Sequence, residues 1–293
     1  MSGNSKKYTV DGLVIRDDAY GENDRLVSIL TAERGRIAVI AKGARSMKSK
    51  IRGAIQPYTF GNFEISEKGS MGWISSASVI EMFPSLRESM LPISLASYAC
   101  AVAYELSDTD ADATPLLRLM LNTFYLIAYR LDPNDENEFV RVKAAFELCA
   151  MAVSGYAPDL SGCIECGDAD TQAVFLDVEG GTYLCGNCMK RRAASTPTRT
   201  DRYPGAEEGA TPLLAVPPDA FAAMRYVLSA PLKRVYAFTV SDVDALEAFA
   251  KTAEAYLEYH LERTFASLAF FRTVRADPVA KAAVQPAPKP ETD

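Results

Sequence analysis

The amino-acid sequence predicts an α+β protein with several domains: an N-terminal five-stranded β-barrel of the OB type, followed by an α-helical domain with an inserted four-cysteine module. Three observations support this fold class. Runs of β-branched and aromatic residues alternate with glycine-containing turns up to residue 82, apolar residues then recur with helical spacing, and two CxxC pairs follow. The predicted boundaries are 1–82 for the barrel, 83–160 and 218–275 for the helical domain, 161–193 for the cysteine module, 194–217 for a loop and 276–293 for a tail.

Five segments of the N-terminal region have the composition of β-strands. They are separated by turn residues, and they comprise residues 7–16, 24–31, 35–42, 57–66 and 71–83. Five strands in so short a region are typical of a five-stranded Greek-key barrel of the OB type, and an SH3-like barrel is the main alternative.

Helical periodicity predicts the elements that follow. Apolar residues recur at i, i+3 and i+4 in the segments 92–107, 114–131, 134–155, 219–230 and 241–272. The last segment carries one continuous apolar stripe, so a single long helix is predicted there. Residues 194–217 are rich in proline, glycine, threonine and charge and are predicted to be loop, whereas the 276–293 tail is too poor in hydrophobic residues to fold.

Charge is distributed unevenly along the chain. The formal net charge is −7 and the isoelectric point is near 5.0, which argues against a protein that binds nucleic acid over its whole surface. Residues 1–82 nevertheless carry 12 Lys and Arg against 9 Asp and Glu, whereas residues 83–160 carry 5 against 11. Neither a secretory signal nor an apolar stretch of transmembrane length is visible, so the sequence predicts a cytoplasmic protein without a membrane partner.

Four of the six cysteines form two CxxC pairs, Cys163 with Cys166 and Cys185 with Cys188, and 18 residues separate the pairs. A two-residue spacer lets both sulfurs face one point, and two pairs at this separation are typical of a zinc ribbon. An iron–sulfur cluster also uses four cysteines, but the even pairs favour zinc. Because four thiolates leave no open coordination position, we predict one structural Zn²⁺ ion.

Residues 34–53 contain seven positive side chains and no acidic one. A small barrel with a basic loop on one side can follow the phosphates of a nucleic-acid strand while aromatic side chains stack on the bases. The predicted nucleic-acid-binding residues are Arg34, Arg36, Lys42, Arg45, Lys48, Lys50 and Arg52. Nearby aromatic residues are expected mostly to fill the barrel core, and none is assigned a stacking role; they are Tyr58, Phe60, Phe63 and Trp73.

The sequence contains no recognisable catalytic constellation. P-loop, GxGxxG and GxSxG motifs are absent, and the single histidine, His260, argues against a histidine-based triad or proton shuttle. No catalytic residue is assigned, and the protein is not predicted to be an enzyme.

The motifs around the basic run resemble those of RecO, the bacterial DNA repair and recombination mediator family. The most specific match is Thr31, Gly35 and Arg36, followed by AKGAR at residues 41–45 and GAIQP at residues 53–57. The segment FELCAMAVSG before the cysteines and the closing LERTFASLAFFR are also similar to the family's segments. The resemblance spans roughly residues 6–272, without the predicted loop.

The resemblance implies a non-enzymatic protein of DNA repair and recombination. RecO-like proteins bind single- and double-stranded DNA, anneal complementary strands and partner with RecR. They also engage the single-stranded DNA-binding protein SSB and thereby help RecA to load at gaps. The family's helical domain receives the acidic tail of SSB, and Arg141 and Lys143 are the candidates here, although as i,i+2 neighbours they cannot both face one groove. The implied location is the nucleoid in the bacterial cytoplasm. The alternative is a zinc-containing protein-interaction scaffold with only incidental DNA contact.

Overall fold

The structure, a computed structural model, describes residues 6–69, 71–195 and 213–276. These residues form two compact units: the first ends at Phe139 and resumes at Phe265, and the second is Val140–Thr264. The strands are β1 (Lys6–Tyr20), β2 (Asp24–Thr31), β3 (Arg36–Ala41), β4 (Phe60–Lys68), β5 (Met71–Glu81), β6 (Val174–Asp177), β7 (Thr182–Cys185) and β8 (Leu214–Val216). The α-helices are α1 (Met90–Leu106), α2 (Thr114–Tyr129), α3 (Glu136–Val153), α4 (Gly186–Ser195), α5 (Pro218–Ser229), α6 (Val243–Leu261) and α7 (Ala266–Ala276).

The first unit is built around a closed barrel with the strand order β1-β2-β3-β5-β4. β1 pairs antiparallel with both β2 and β4, and a parallel pairing of β3 with β5 closes the barrel. Alternate side chains point inward, and Val27, Ile29 and Phe63 are fully buried there. The predicted N-terminal five-stranded barrel is confirmed, and its closed order fits the OB type.

Helices cover part of the outer surface of this barrel. Leu13, Val14 and Ile15 are consecutive residues of β1 and all three are buried, so both faces of the strand are covered at this point. Helices α1 and α2 contact β1, and α1 also packs along α7, where the rings of Tyr98 and Phe265 lie edge to face. The first unit therefore contains a barrel and the helices that bury one side of it.

The second unit combines helices with a small sheet of strand order β7-β6-β8. β6 and β7 form the hairpin between the two cysteine pairs, and Val174 is opposite Cys185 in its register. Helix α5 packs on α6, and α6 also contacts β8. The helices and the inserted four-cysteine hairpin that complete the predicted fold class are thus confirmed.

The prediction of one helix over residues 241–272 is wrong. Helix α6 ends at Leu261, because the next residue, Glu262, has a left-handed backbone with φ 50° that cannot continue an α-helix. Its amide hydrogen bonds back to the carbonyls of Glu258 and Tyr259, which closes the helix end. The apolar stripe resumes in α7, which belongs to the first unit.

The prediction of loop over residues 194–217 also needs correction where the structure describes it. Helix α4 extends to Ser195, and Leu214–Val216 forms β8, which pairs antiparallel with β6 and places Leu214 opposite Leu176. Residues 196–212 and the predicted tail beyond Ala276 lie outside the described residues. Among the helices that the structure describes, none combines the length and apolar character that a membrane crossing requires.

Candidate nucleic-acid interface and metal centre

The basic loop, residues 42–59, connects β3 to β4 and is held to the barrel by its own apolar side chains. Ala44, Ala54 and Ile55 are buried and belong to the cluster that fills the barrel. Ile51 packs against the same cluster while remaining partly exposed. Because these side chains are removed from water, the loop has a defined position, and the polar residues between them are directed outward.

Polar contacts fix the first half of the basic loop to the turn between β1 and β2. The Gly43 amide donates to Asp24 Oδ1 at 2.7 Å, and the Arg45 amide donates to the Asn23 carbonyl at 3.1 Å. The Arg45 guanidinium adds a bond from Nη1 to the Glu22 carbonyl at 2.9 Å. The basic loop and the β1–β2 turn therefore form one continuous edge of the barrel.

The basic loop presents its cations to solvent. Arg52 contacts Met47, with Nη1 2.9 Å from Sδ, and Met47 is itself 84% exposed. The loop contains no acidic residue, and within the described part of the chain no carboxylate forms a salt bridge with its cations. Like charges so arranged favour a polyanion, which relieves their mutual repulsion. The exposed cations are Lys42, Arg45, Lys48, Lys50 and Arg52.

Arg34 and Arg36 are placed differently from the other predicted nucleic-acid-binding residues. Both are only partly exposed. The Arg34 guanidinium lies 4.0 Å from the centroid of the Tyr8 ring. The Arg36 guanidinium lies 3.9 Å from the Tyr104 centroid, and its Nε donates to the Ser107 carbonyl at 3.2 Å. The structure thus separates the seven predicted residues into five exposed cations of the basic loop and two partly exposed arginines that lie over aromatic rings.

The aromatic residues near the basic loop also differ in their surroundings. Phe63 is fully buried inside the barrel, as expected from the sequence. The ring of Tyr58 packs edge to face on Phe124, with centroids 5.9 Å apart, and the Arg87 guanidinium lies over it. Trp73 remains partly exposed on β5, and a cation of the basic loop lies over its ring.

The four cysteines of the two CxxC pairs converge on one point. Their Sγ atoms all lie within 4.8 Å of one another, and every member except Cys166 is buried. Cys163 and Cys166 lie in the loop before β6, Cys185 ends β7, and Cys188 lies in the first turn of α4. The distances and the all-sulfur donor set fit one tetrahedral metal ion.

Hydrogen bonds to sulfur favour the thiolate form that metal binding requires. The Cys185 amide donates to Cys163 Sγ at 3.2 Å, and the Cys188 amide donates to Cys185 Sγ at 3.4 Å. Burial raises the pKa of the Cys163 thiol, but the amide donors around its sulfur outweigh burial and lower that pKa to about 6. Arg191 adds a charged donor, with Nη2 2.7 Å from Cys188 Sγ. These donors therefore favour the thiolate at Cys163, whereas burial raises the pKa of the Cys188 thiol.

The two residues predicted to receive the SSB tail, Arg141 and Lys143, are buried instead of exposed. Arg141 is 6% exposed and donates from Nη1 to the Tyr236 carbonyl at 2.7 Å. Lys143 is 3% exposed, and its Nζ lies 2.8 Å from carboxylate oxygens of both Glu147 and Glu254. A buried ammonium that already has two carboxylate partners offers nothing to an acidic peptide, so neither position supplies an exposed cation. The i,i+2 spacing was visible in the sequence, but the burial depends on residues about a hundred positions away.

Comparison with known proteins gives a consistent result. The family model described as Recombination protein O N terminal matches residues 1–83, and the one described as Recombination protein O C terminal matches residues 87–202. Among similar curated proteins is the DNA repair protein RecO of Anaeromyxobacter dehalogenans, 31% identical over 265 residues that cover 88% of this chain and 93% of the relative. The DNA repair protein RecO of Acetivibrio thermocellus is 25% identical over 263 residues, which cover 90% and 95%.

Proposed function

The chain belongs to the Recombination protein O family of DNA repair proteins, and from this premise we propose that it is a non-enzymatic DNA-binding mediator of recombinational repair. In this role it binds single- and double-stranded DNA, anneals complementary strands, and works with RecR and SSB in the loading of RecA at the nucleoid. The proposal assigns DNA binding to the five exposed cations of the basic loop. Arg141 and Lys143 are not part of it.

The observation that carries this proposal is the anchored, outward-facing basic loop in a chain of net charge −7. Annealing requires no bond to be made or broken in the protein; it requires a surface that screens phosphate repulsion while two strands find their register. A loop with five exposed cations and no carboxylate meets that requirement. If each cation neutralised one phosphate of a single strand, log affinity would fall against log salt with a slope of about −3.5.

A salt titration with a fluorescent oligonucleotide tests the assignment. Replacing four loop cations by Gln should weaken binding at low salt and reduce the slope by about 3, because each lost cation releases about 0.7 fewer counterions. These four are Arg45, Lys48, Lys50 and Arg52. The matched control replaces four exposed cations elsewhere, Arg118, Arg130, Lys233 and Lys251, and should leave the slope near its original value. An equal reduction of the slope by both variants would show that the basic loop is not the DNA-binding surface.

Strand annealing separates the mediator from the scaffold. The unaltered protein should accelerate annealing of complementary oligonucleotides at low salt, with or without SSB on the strands. Absence of any acceleration would favour the alternative, a zinc-containing interaction scaffold whose contact with DNA is incidental.

We further propose that the cysteine cluster holds one Zn²⁺ ion through Cys163, Cys166, Cys185 and Cys188. A zinc ion bound there would cross-link the small hairpin. It would not take part in catalysis, because four thiolates complete its tetrahedral coordination. The purified protein should contain about one zinc per chain by elemental analysis. A chelator should lower the temperature of unfolding sharply, because zinc binding in small modules supplies on the order of 10 kcal/mol of folding free energy. Iron in place of zinc, or unchanged unfolding after metal removal, would contradict this assignment.

A further inference from the structure

We propose that Trp73 and Lys42 form a subsite in which one unpaired base of single-stranded DNA stacks on the indole ring. This inference deepens the proposed DNA-binding function and rests on it. In this subsite Trp73 contacts a base, whereas the cations of the basic loop contact phosphates. Lys42 Nζ lies 4.8 Å from the centroid of the Trp73 ring.

Strand register places Trp73 on the outer face of the barrel. In the parallel pairing of β3 with β5, Val39 is opposite Gly72 and Ile40 is opposite Trp73. Val39 and Ile74 both belong to the interior cluster, so their neighbours along each strand, Ile40 and Trp73, face outward. The indole is therefore not part of the barrel core, although it is partly covered by its surroundings.

The position of this pair is where an OB-type barrel meets a nucleic-acid strand. Such barrels bind oligonucleotides on the face of strands 2 and 3, between the β1–β2 and β4–β5 turns. Trp73 is the third residue of β5, directly after the β4–β5 turn, and Lys42 directly follows β3. The loop that Lys42 begins is bonded to the β1–β2 turn through Gly43 and Arg45. A strand that crosses the basic loop thus passes Trp73.

Two other aromatic side chains of this region are less suited to a base. The Tyr8 ring has the Arg34 guanidinium over it at 4.0 Å, and its hydroxyl donates to Glu67. Tyr58 lies between Phe124 and Arg87. The cation over Trp73, in contrast, sits on an exposed lysine at the start of a loop that itself binds polyanions in the proposed function.

The contact between Lys42 and Trp73 is replaceable. An exposed cation–π contact is weaker than the stacking of a base on an aromatic ring. A nucleotide offers both a base for the indole and a phosphate for the ammonium, so the lysine exchanges one attractive partner for another when the base takes its place. In a duplex both faces of a base are already stacked, and the subsite therefore selects unpaired strands.

Trp73 is the only tryptophan of the chain, so its fluorescence reports the subsite directly. The unaltered full-length protein is titrated with oligothymidylate and with an oligomer of equal length in which every sugar is abasic, while anisotropy of a labelled strand records binding. Oligothymidylate should quench the tryptophan emission in step with binding. The abasic oligomer should bind through its phosphates and leave most of the emission unchanged.

The outcomes separate this subsite from the proposed function on which it rests. Binding of oligothymidylate without quenching, or equal quenching by the abasic oligomer, would overturn the stacking subsite and leave DNA binding intact. Failure of any DNA to bind would overturn both.

Variants give a second, independent measurement. Trp73→Leu should lower the affinity for oligothymidylate about tenfold without changing the salt slope, because stacking involves no counterion. Trp73→Phe should restore most of that affinity. Lys42→Gln should reduce the slope by about 0.7 and retain quenching. A Trp73→Leu protein that unfolds at the same temperature as the original and binds oligothymidylate equally well would refute the assignment.

Discussion

Two neighbouring segments of the barrel carry cations, yet they use them in opposite ways. The turn segment, residues 32–36, holds Arg34 and Arg36 with their guanidinium groups over intramolecular aromatic rings. The basic loop, residues 42–59, begins only six residues later and directs its cations to solvent. The cations of both segments lie in one continuous basic run, residues 34–53, so positive charge alone does not identify a ligand-binding residue. The distinguishing quantity is the exposure of the cation, because the cations of the basic loop are exposed whereas Arg34 and Arg36 are only partly exposed.

Backbone contacts explain the difference between the two segments. The Arg36 amide donates to the Asp108 carbonyl at 3.0 Å, and the Asp110 and Ala113 amides donate to carbonyls of the turn segment, at Arg34 and Ala32. The loop between α1 and α2 therefore docks on the turn segment almost as an added strand. The basic loop is anchored by buried apolar side chains and, in its first half, by the amides of Gly43 and Arg45, while its charged side chains remain exposed.

The largest expected effect in this comparison comes from a single methyl group at Gly35. This residue has φ +59°, and a Cβ built there would lie 1.9 Å from the Asp108 carbonyl oxygen. Gly35→Ala should therefore destabilise the first unit by about 3 kcal/mol or more, through the close approach and the left-handed backbone together. Chemical denaturation followed by circular dichroism measures the loss.

Gly53 in the basic loop is the matched control for that substitution. A Cβ there meets no atom within 4 Å, and Gly53 does not have a positive φ. Gly53→Ala should change the free energy of unfolding by less than about 0.5 kcal/mol. Equal destabilisation by both substitutions would show that the turn segment is not the more tightly docked of the two.

The second expected effect is the loss of the Arg36 side chain. Arg36→Gln removes a charged hydrogen bond to the Ser107 carbonyl and the contact with Tyr104, which together correspond to about 1–2 kcal/mol of stability at a half-buried site. The unfolding midpoint in urea should fall, while the salt slope of DNA binding stays unchanged at temperatures where the variant is folded. A reduced slope with unaltered stability would show instead that Arg36 contacts DNA.

Sequence patterns predicted those features that depend on local spacing. The alternation of the N-terminal runs predicted the barrel, and the two CxxC pairs predicted that Cys163, Cys166, Cys185 and Cys188 meet, because a tight spacer constrains each pair. Turn-forming residues also marked the limits of most strands.

Features that depend on distant partners could not be predicted. Glu262 ends α6 although glutamate favours helices, and the apolar stripe continues past it without a glycine or proline. Lys143 is neutralised by Glu254, which lies 111 residues away, and Arg36 is held by Ser107, which lies 71 residues away. The pairing of Trp73 with Ile40 is likewise visible only when the barrel closes.

The smallest effect on stability should accompany the clearest effect on DNA binding. Lys48 and Lys50 are exposed loop residues, so replacing both by Gln should change the free energy of unfolding by less than about 0.5 kcal/mol. The same double variant should reduce the salt slope by about 1.4, because two phosphate contacts are lost from a single strand. Arg34→Gln is the comparison from the turn segment, and it should lower stability slightly and leave the slope unchanged, since its guanidinium lies over Tyr8 and, unlike the loop cations, is only partly exposed. The free energy of unfolding and the salt slope, measured for both variants, show whether each cation serves docking within the protein or DNA binding. A variant that changed both quantities would show that docking and DNA binding share residues.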